Sequence, residues 1–250
     1  MSYIYSDASD GIISKAASSY TGARHATSGA VVNLSSCSDK GVFRAASTSG
    51  RASLTRHFTR SYFWFDTSGV TDCTGVSLDL RGSTSTIDSG ESIVVMKSDA
   101  FGGDGTAALA STDFDNIVGW NGSSDMSGAT KYSAAPSIPM AIWVTNNYNS
   151  IPLSSGAEND INNNNYIIVC CVSYKYDYLK ADPVVAIGLG TGALTNNVGC
   201  CHSGTARRPR LDITHSVSTN IAKVNAVALA SIGKVNSVAT ASIGKINSVD

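Results

Sequence analysis

The sequence predicts an all-β protein, a two-sheet jelly-roll sandwich over residues 1–217 followed by a short 11-residue-repeat segment over 218–250. Three observations predict it. Nine short β-rich runs are separated by Gly/Ser/Asn/Thr clusters, the punctuation of strands and turns. Two runs alternate strictly, whereas two others are apolar on both faces. After Ser218 the composition changes and an 11-residue unit recurs. The chain of 250 residues is long enough to bury a sizeable core. With 42% hydrophobic and only 15% charged residues it is not a disordered polymer. Its net charge of -1 excludes binding to nucleic acid by phosphate neutralisation.

The runs, in order, are 30–34, 41–44, 61–65, 76–80, 92–96, 141–144, 166–174, 184–187 and 211–214. Val76-Ser-Leu-Asp-Leu80 and Leu211-Asp-Ile-Thr214 should each wet one face. Ser61-Tyr-Phe-Trp-Phe65 and the 166–174 run should be central strands buried between the two sheets. One brief helix is expected over 155–161, with Ser155 as N-cap and Glu158 closing a capping box, stopped by Asn162 to Asn165. The Gly/Ser/Asp-rich stretch 101–135, with Trp120 inside it, reads as a long excursion of the kind that carries function or crosses a sandwich end.

In the last segment, Ile221-Ala-Lys-Val-Asn-Ala-Val is followed by Ile232-Gly-Lys-Val-Asn-Ser-Val and Ile243-Gly-Lys-Ile-Asn-Ser-Val. A helix with an 11-residue period would hold these apolar positions on one face. Gly233, Gly244 and the β-branched residues favour extended rungs instead. Either form has too little apolar area to stand alone. The ridge of Ile221, Val224, Val227, Ile232, Val235, Val238, Ile243, Ile246 and Val249 should therefore pack on sister copies, on the sandwich or on another protein.

The N-terminus shows no secretory pattern and no run is long enough to span a bilayer, so synthesis and folding in a cytoplasm are expected. There the cysteines Cys37, Cys73, Cys170, Cys171, Cys200 and Cys201 should stay reduced. They read as small apolar strand residues, one of each adjacent pair facing inward.

Four stretches, taken in order, resemble a group of tailed-phage virion proteins. Arg60-Ser-Tyr-Phe-Trp-Phe-Asp-Thr-Ser-Gly-Val70 resembles their R-x-F-x-x-F-D-T-S strand and turn, and Val76-Ser-Leu-Asp-Leu80 the strand that follows. Asn149-Ser-Ile-Pro-Leu153, Ala157 to Ile161 and Tyr176-Asp-Tyr178 are similar to later elements. Gly204-Thr-Ala-Arg-Arg-Pro-Arg-Leu-Asp-Ile-Thr214 is similar to the closing strand. The I-x-K-(V/I)-N-x-V repeat resembles tails of phage structural proteins. The chain departs from the pattern at His215, where an aromatic is usual, and at Pro152. The resemblance implies a virion-surface component, such as a tail fibre, head fibre or decoration protein. It further implies a glycan-binding jelly-roll and homo-oligomeric assembly, with a trimer expected for a fibre.

Chemistry is sparse. Glu91 and Glu158 are the only glutamates, the aspartates fall mostly in turn contexts, and the four histidines lack metal-ligand spacing. No nucleophile elbow or P-loop is present, and Gly188-Leu-Gly-Thr-Gly192 reads as a turn because no helix opens after it. No catalytic residue and no cofactor is expected; a structural Ca²⁺ on Asp104, Asp113 and Asp115 is the one metal the sequence admits. Binding is the better reading. Sugar sites stack apolar ring faces on exposed aromatics rimmed by polar groups. Trp120, Asn121, Tyr148, Tyr176 and Tyr178 are the candidates, while Trp64 and Trp143 lie in strand-like runs and read as core. The alternatives are a glycan-cleaving depolymerase and a ligand-free filament or capsid-decoration subunit.

Overall fold

The computed structural model describes residues 2–7, 9–33, 40–49, 54–86, 91–139, 142–183, 193–200 and 208–215, with four two-residue strands beyond them. It is an all-β sandwich of two antiparallel sheets. The strands are β1 (Ser2–Tyr5), β2 (Gly11–Ala17), β3 (Ala30–Asn33), β4 (Lys40–Ser49), β5 (Leu54–Asp66), β6 (Cys73–Thr86), β7 (Ile93–Lys97), β8 (Tyr148–Pro152), β9 (Tyr166–Ser173), β10 (Ala193–Cys200) and β11 (Arg210–His215). Helix α1 spans Tyr20–Arg24 and α2 spans Ser155–Asn164.

One sheet runs β1–β11–β6–β8. The other runs β10–β4–β5–β2–β3, with β9 taking over the pairing of β5 along its second half and β7 added to β9. Strand β6 belongs to both, pairing with β11 and β8 along its first part and with β10 at its end. The corner is at Gly82. A Cβ there would lie 2.3 Å from the Val144 carbonyl oxygen and 2.7 Å from Trp143 Nε1, so no larger residue fits the crossing.

The runs at 61–65 and 166–174 are indeed buried on both faces, but only one covering layer is a sheet. Phe63 and Phe65 of β5, Ile167, Val169 and Cys171 of β9, and Ile93 and Val95 of β7 face Leu78, Leu80, Ile151, Leu211 and Ile213 of the first sheet. The alternate residues Phe58, Tyr62, Ile168, Cys170, Val172, Val94 and Met96 face the excursion, which contributes Phe101, Leu109, Phe114, Ile117, Met126 and Ala129. Cys170 and Cys171 therefore both point inward, one to each core. Cys73, Cys170 and Cys171 are free thiols, and burial pushes Cys170 up to about 12.

The wet-face prediction holds for Leu211 and Ile213, both fully buried, against half-buried Asp212 and exposed Thr214. On β6, Asp79 is also shielded, because Arg210 reaches across to it at 3.1 Å.

Three local expectations are corrected. Helix α2 is capped by Ser154 rather than Ser155, makes no side-chain cap bond and has no capping box. It continues through Asn162 to Asn164 because those amides have partners. Asn162 brackets the Cys73 backbone, Asn163 donates to the Asn159 carbonyl, and Asn164 donates to Asp160. Asn165 ends the helix in the left-handed region. The 141–144 run is not a strand over its described residues: Ile142 and Val144 are exposed while Trp143 inserts into the core, and the Asn149 side chain holds both the N–H and the carbonyl of Val144. The run at 184–187 and the Gly188–Gly192 turn lie outside the described residues.

In the repeat segment the extended form holds. Lys223–Val224 pairs antiparallel with Val227–Ala228, placing Val224 opposite Val227. Eleven residues on, Lys234–Val235 pairs with Val238–Ala239 in the same register. The unit is thus a minimal hairpin with Asn-Ala or Asn-Ser between its paired valines. Ile221, Ile232, Ile243, Ile246 and Val249 lie outside the described residues.

Candidate functional site

Beneath the excursion two arginines are fully buried. Arg60 projects from β5 and Arg24 from the end of α1. Asp177, 1% exposed, lies in a single wide turn over 174–178 that follows β9. Arg60 grips it with two prongs, Nε at 2.7 Å from Oδ2 and Nη2 at 2.8 Å from Oδ1. Arg24 Nε lies 3.2 Å from Oδ1 and donates to the Asp177 carbonyl at 2.8 Å, to which Nη2 also donates.

Two guanidiniums on one carboxylate leave a formal surplus of one positive charge. The surplus is met by backbone carbonyls and rings. Arg60 donates to the carbonyls of Phe114 (2.6 Å) and Arg24 (3.0 Å), and Arg24 donates to that of Ser124 (2.9 Å). The Phe114 ring lies 4.2 Å from the Arg60 guanidinium carbon. Burial draws the Arg24 guanidinium below its ordinary value, with Asp177 offsetting only part. At Arg60 the Asp177 charge and hydrogen bonds outweigh the same burial and leave it raised.

Trp120 closes this cluster toward the surface. Its ring centroid lies 4.7 Å from the Arg60 guanidinium carbon and 5.0 Å from that of Arg24, and its Nε1 donates to the Ser124 carbonyl at 3.0 Å. His25 meets the ring edge-on at 6.5 Å. Arg24 Nη1 donates to His25 Nε2 at 2.8 Å; a guanidinium can only donate, so Nε2 is the unprotonated nitrogen. Burial, followed by the Arg24 charge, lowers the His25 pKa and keeps the ring neutral.

Half-buried Trp120 lines an open groove of about 380 Å³ together with Asp99, Asp115, Asn116, Ile117, Val118, Gly119, Asn121 and Gly122. A smaller cavity of about 100 Å³ is also lined by Asp99, together with Lys97, Tyr132, Asp160 and Tyr166. The groove therefore offers an indole fixed from behind, two carboxylates and two carboxamides, which suits a polar ligand with an apolar face.

Of the residues predicted from sequence, the structure brings Trp120 and Asn121 together. The Asn121 Oδ1 accepts from the backbone N–H groups of Ser123 and Ser124 and shapes the turn after the indole. Tyr176 and Tyr178 correct the prediction: they are 3% and 5% exposed, because the wide turn directs both rings inward beside Asp177. Tyr148 lies on β8 of the other sheet, where its ring and that of Tyr3 lie 4.0 and 3.8 Å from the Arg210 guanidinium carbon. Trp143 is core as predicted; Trp64 is only half-buried, against the second core, with Gly105 too close to its indole for any Cβ.

Two of the three acids considered for Ca²⁺ are otherwise engaged, and Asp115 is not. Asp113 accepts from the N–H groups of Phe101 and Ala110 and from the Asn116 amide, and Asp104 Oδ1 accepts from the N–H and hydroxyl of Thr106. Among the described residues no group of three or more His, Cys, Asp or Glu is placed to hold a metal, and no helix is long and apolar enough to cross a membrane.

Sequence reasoning missed Asp99 and the Arg24–Asp177–Arg60 cluster. The available signal was a lone Arg opening an apolar run and a lone Asp between tyrosines, each a charge that burial would force to find the other. Compared with known protein families and with curated protein sequences, the chain finds no match in either.

Proposed function

We propose that this chain is a non-enzymatic adhesive subunit of a phage particle, exposed at the virion surface, whose sandwich takes a host-surface glycan in the groove beside Trp120. The observation that carries the glycan reading is the indole held by two buried guanidiniums at the wall of that groove. A ring fixed before binding loses little freedom when a sugar stacks on it. The virion assignment rests on the motif resemblance. The hairpin repeats support an assembly role, since a two-stranded hairpin is marginal in water and gains stability from further strands. Sister copies supply identical ones.

Titration calorimetry of the full chain against host-surface oligosaccharides tests the glycan reading. Trp120→Ala should weaken binding at least about tenfold and Trp120→Phe less, with near-ultraviolet circular dichroism confirming that both fold. Unchanged binding in folded Trp120→Ala refutes it. Removal of residues 219–250 should leave a folded sandwich that no longer oligomerises or enters particles; normal assembly of the truncated chain refutes the assembly role.

A second reading, a glycan-cleaving depolymerase, draws on Asp99 and Asp115 sharing one groove. Release of reducing ends that stops in Asp99→Asn or Asp115→Asn would establish it in place of the first.

A further inference from the structure

We infer that the Trp120 groove selects saccharides bearing free, protonated amines and disfavours those bearing carboxylates; this rests on the glycan reading above. The groove is walled by Asp99 and by residues of the excursion. Residues 98–130 contain five Asp (Asp99, Asp104, Asp113, Asp115 and Asp125) and no Lys, Arg, His or Glu. Asp113 and Asp104 are spent on the hydrogen bonds described above, and Asp125 accepts from the backbone and hydroxyl of Ser127. Asp99 and Asp115 are left: both line the groove, and neither has an ion-pair partner among the described residues.

Among the described residues no basic side chain lines the groove. The nearby cations have partners of their own, Lys180 Nζ donating to the Ser123 carbonyl at 2.8 Å. Lys97, at the smaller cavity, lies 2.8 Å from Asp160, and the surplus charge of the arginine pair is spread over carbonyls and ring faces behind the indole. A carboxylated sugar entering here would lose hydration without gaining a counter-charge, and it would meet two like charges. An amine-bearing sugar gains two unpaired carboxylates while its ring stacks on Trp120. Asp99 lines both the groove and the smaller cavity, so its charge faces a ligand in either.

The test compares three probes on the full chain by titration calorimetry: a glucosamine tetramer, its N-acetylated counterpart and a galacturonate tetramer. The first two differ in charge at the same backbone. The glucosamine tetramer should bind about fivefold or more tighter than the N-acetylated one, and the galacturonate tetramer weakest. Raising salt from about 0.1 M to about 1 M, which shortens the Debye length from roughly 10 Å to roughly 3 Å, should erase most of that preference. Asp99→Asn and Asp115→Asn, each close in shape to the native residue, should each cost the glucosamine tetramer about threefold more affinity than they cost the N-acetylated one. Equal affinities for the first two probes, or tightest binding of galacturonate, overturn the selection while leaving glycan binding intact. Failure of all three probes and of every other saccharide to bind overturns both.

Discussion

The two faces of the central strands β5, β9 and β7 are built by opposite means. Toward the first sheet the core is apolar throughout, Phe63, Phe65, Ile167 and Val169 meeting Leu78, Leu80 and Ile151. Toward the excursion the same strands bury Arg60 and share Asp177 with Arg24. The covering layers differ in what their backbones require. A sheet satisfies its own N–H and carbonyl groups through its ladder, so apolar side chains suffice to bury it. An irregular layer brings carbonyls with no ladder partner, and each would be costly if buried unpaired. Here Arg60 and Tyr62 both donate to the Phe114 carbonyl, and Arg24 donates to that of Ser124. The arginines supply donors that a loop wall lacks, and the same guanidiniums fix the indole that the groove presents.

The largest effect should come from removing the shared carboxylate. Asp177→Asn leaves two buried guanidiniums without their counter-charge and should cost about 3–5 kcal/mol in urea unfolding. The double change Arg60→Met with Asp177→Leu sharpens the comparison. Apolar replacement of a buried ion pair is often harmless. Here it should still cost about 2 kcal/mol or more, because buried Arg24 loses its carboxylate and its carbonyl loses the Arg60 donor, while the Phe114 carbonyl keeps only Tyr62. Full recovery would show that neither the Arg24 charge nor these carbonyls depend on the ion pair.

A smaller effect concerns pH. His25 is held neutral in the fold, below its ordinary value of 6.5, so the unfolded chain takes up the proton first. Stability from this group is fully present above that value. It falls as pH drops through 6.5 toward the lowered folded-state value. His25→Gln should flatten that slope in urea melts between about pH 5 and pH 7; an unaltered slope would assign it to another group.

The smallest predicted effect is a gain, at a buried acid away from the arginine cluster. Asp10 is 3% exposed; its Oδ1 accepts the Trp64 N–H, while its Oδ2 and the Ser6 hydroxyl have no partner. Burial raises its pKa well above 3.8, so its ionisation weakens the fold as pH rises. Asp10→Asn should stabilise the chain by about 1 kcal/mol at neutral pH, and the gain should vanish near pH 3, where Asp10 is protonated in both states. A loss at neutral pH would show that the charge is used.

Much of this was legible from periodicity. Strict alternation over 76–80 and 211–214 located one-sided strands, and continuous apolar runs at 61–65 and 166–174 located two-sided ones. Strands β1, β2, β8 and β10 escaped notice because they are short or rich in Ser, Asn and Ala, and pairing rather than propensity makes them strands. Pro152 fits because it ends β8, which among the described residues pairs on one side only, with β6. At the candidate site, the polar setting of Trp120 was readable in the chain around it. The inward turn of Tyr176 and Tyr178 was not, because a tyrosine beside an aspartate reads alike on a surface and around a buried ion pair.

Local order along the chain thus determined the all-β class, the doubly buried central strands and the period of the repeats, since these depend only on which side chains shun water and how often they recur. The tertiary structure decided that an irregular layer covers the second face, that Arg24 and Arg60 meet on Asp177, and that the indole they hold borders a groove lined by Asp99 and Asp115. Each is a meeting of residues far apart in sequence, settled by where buried charges and carbonyls find partners, and no single stretch of the chain encodes it.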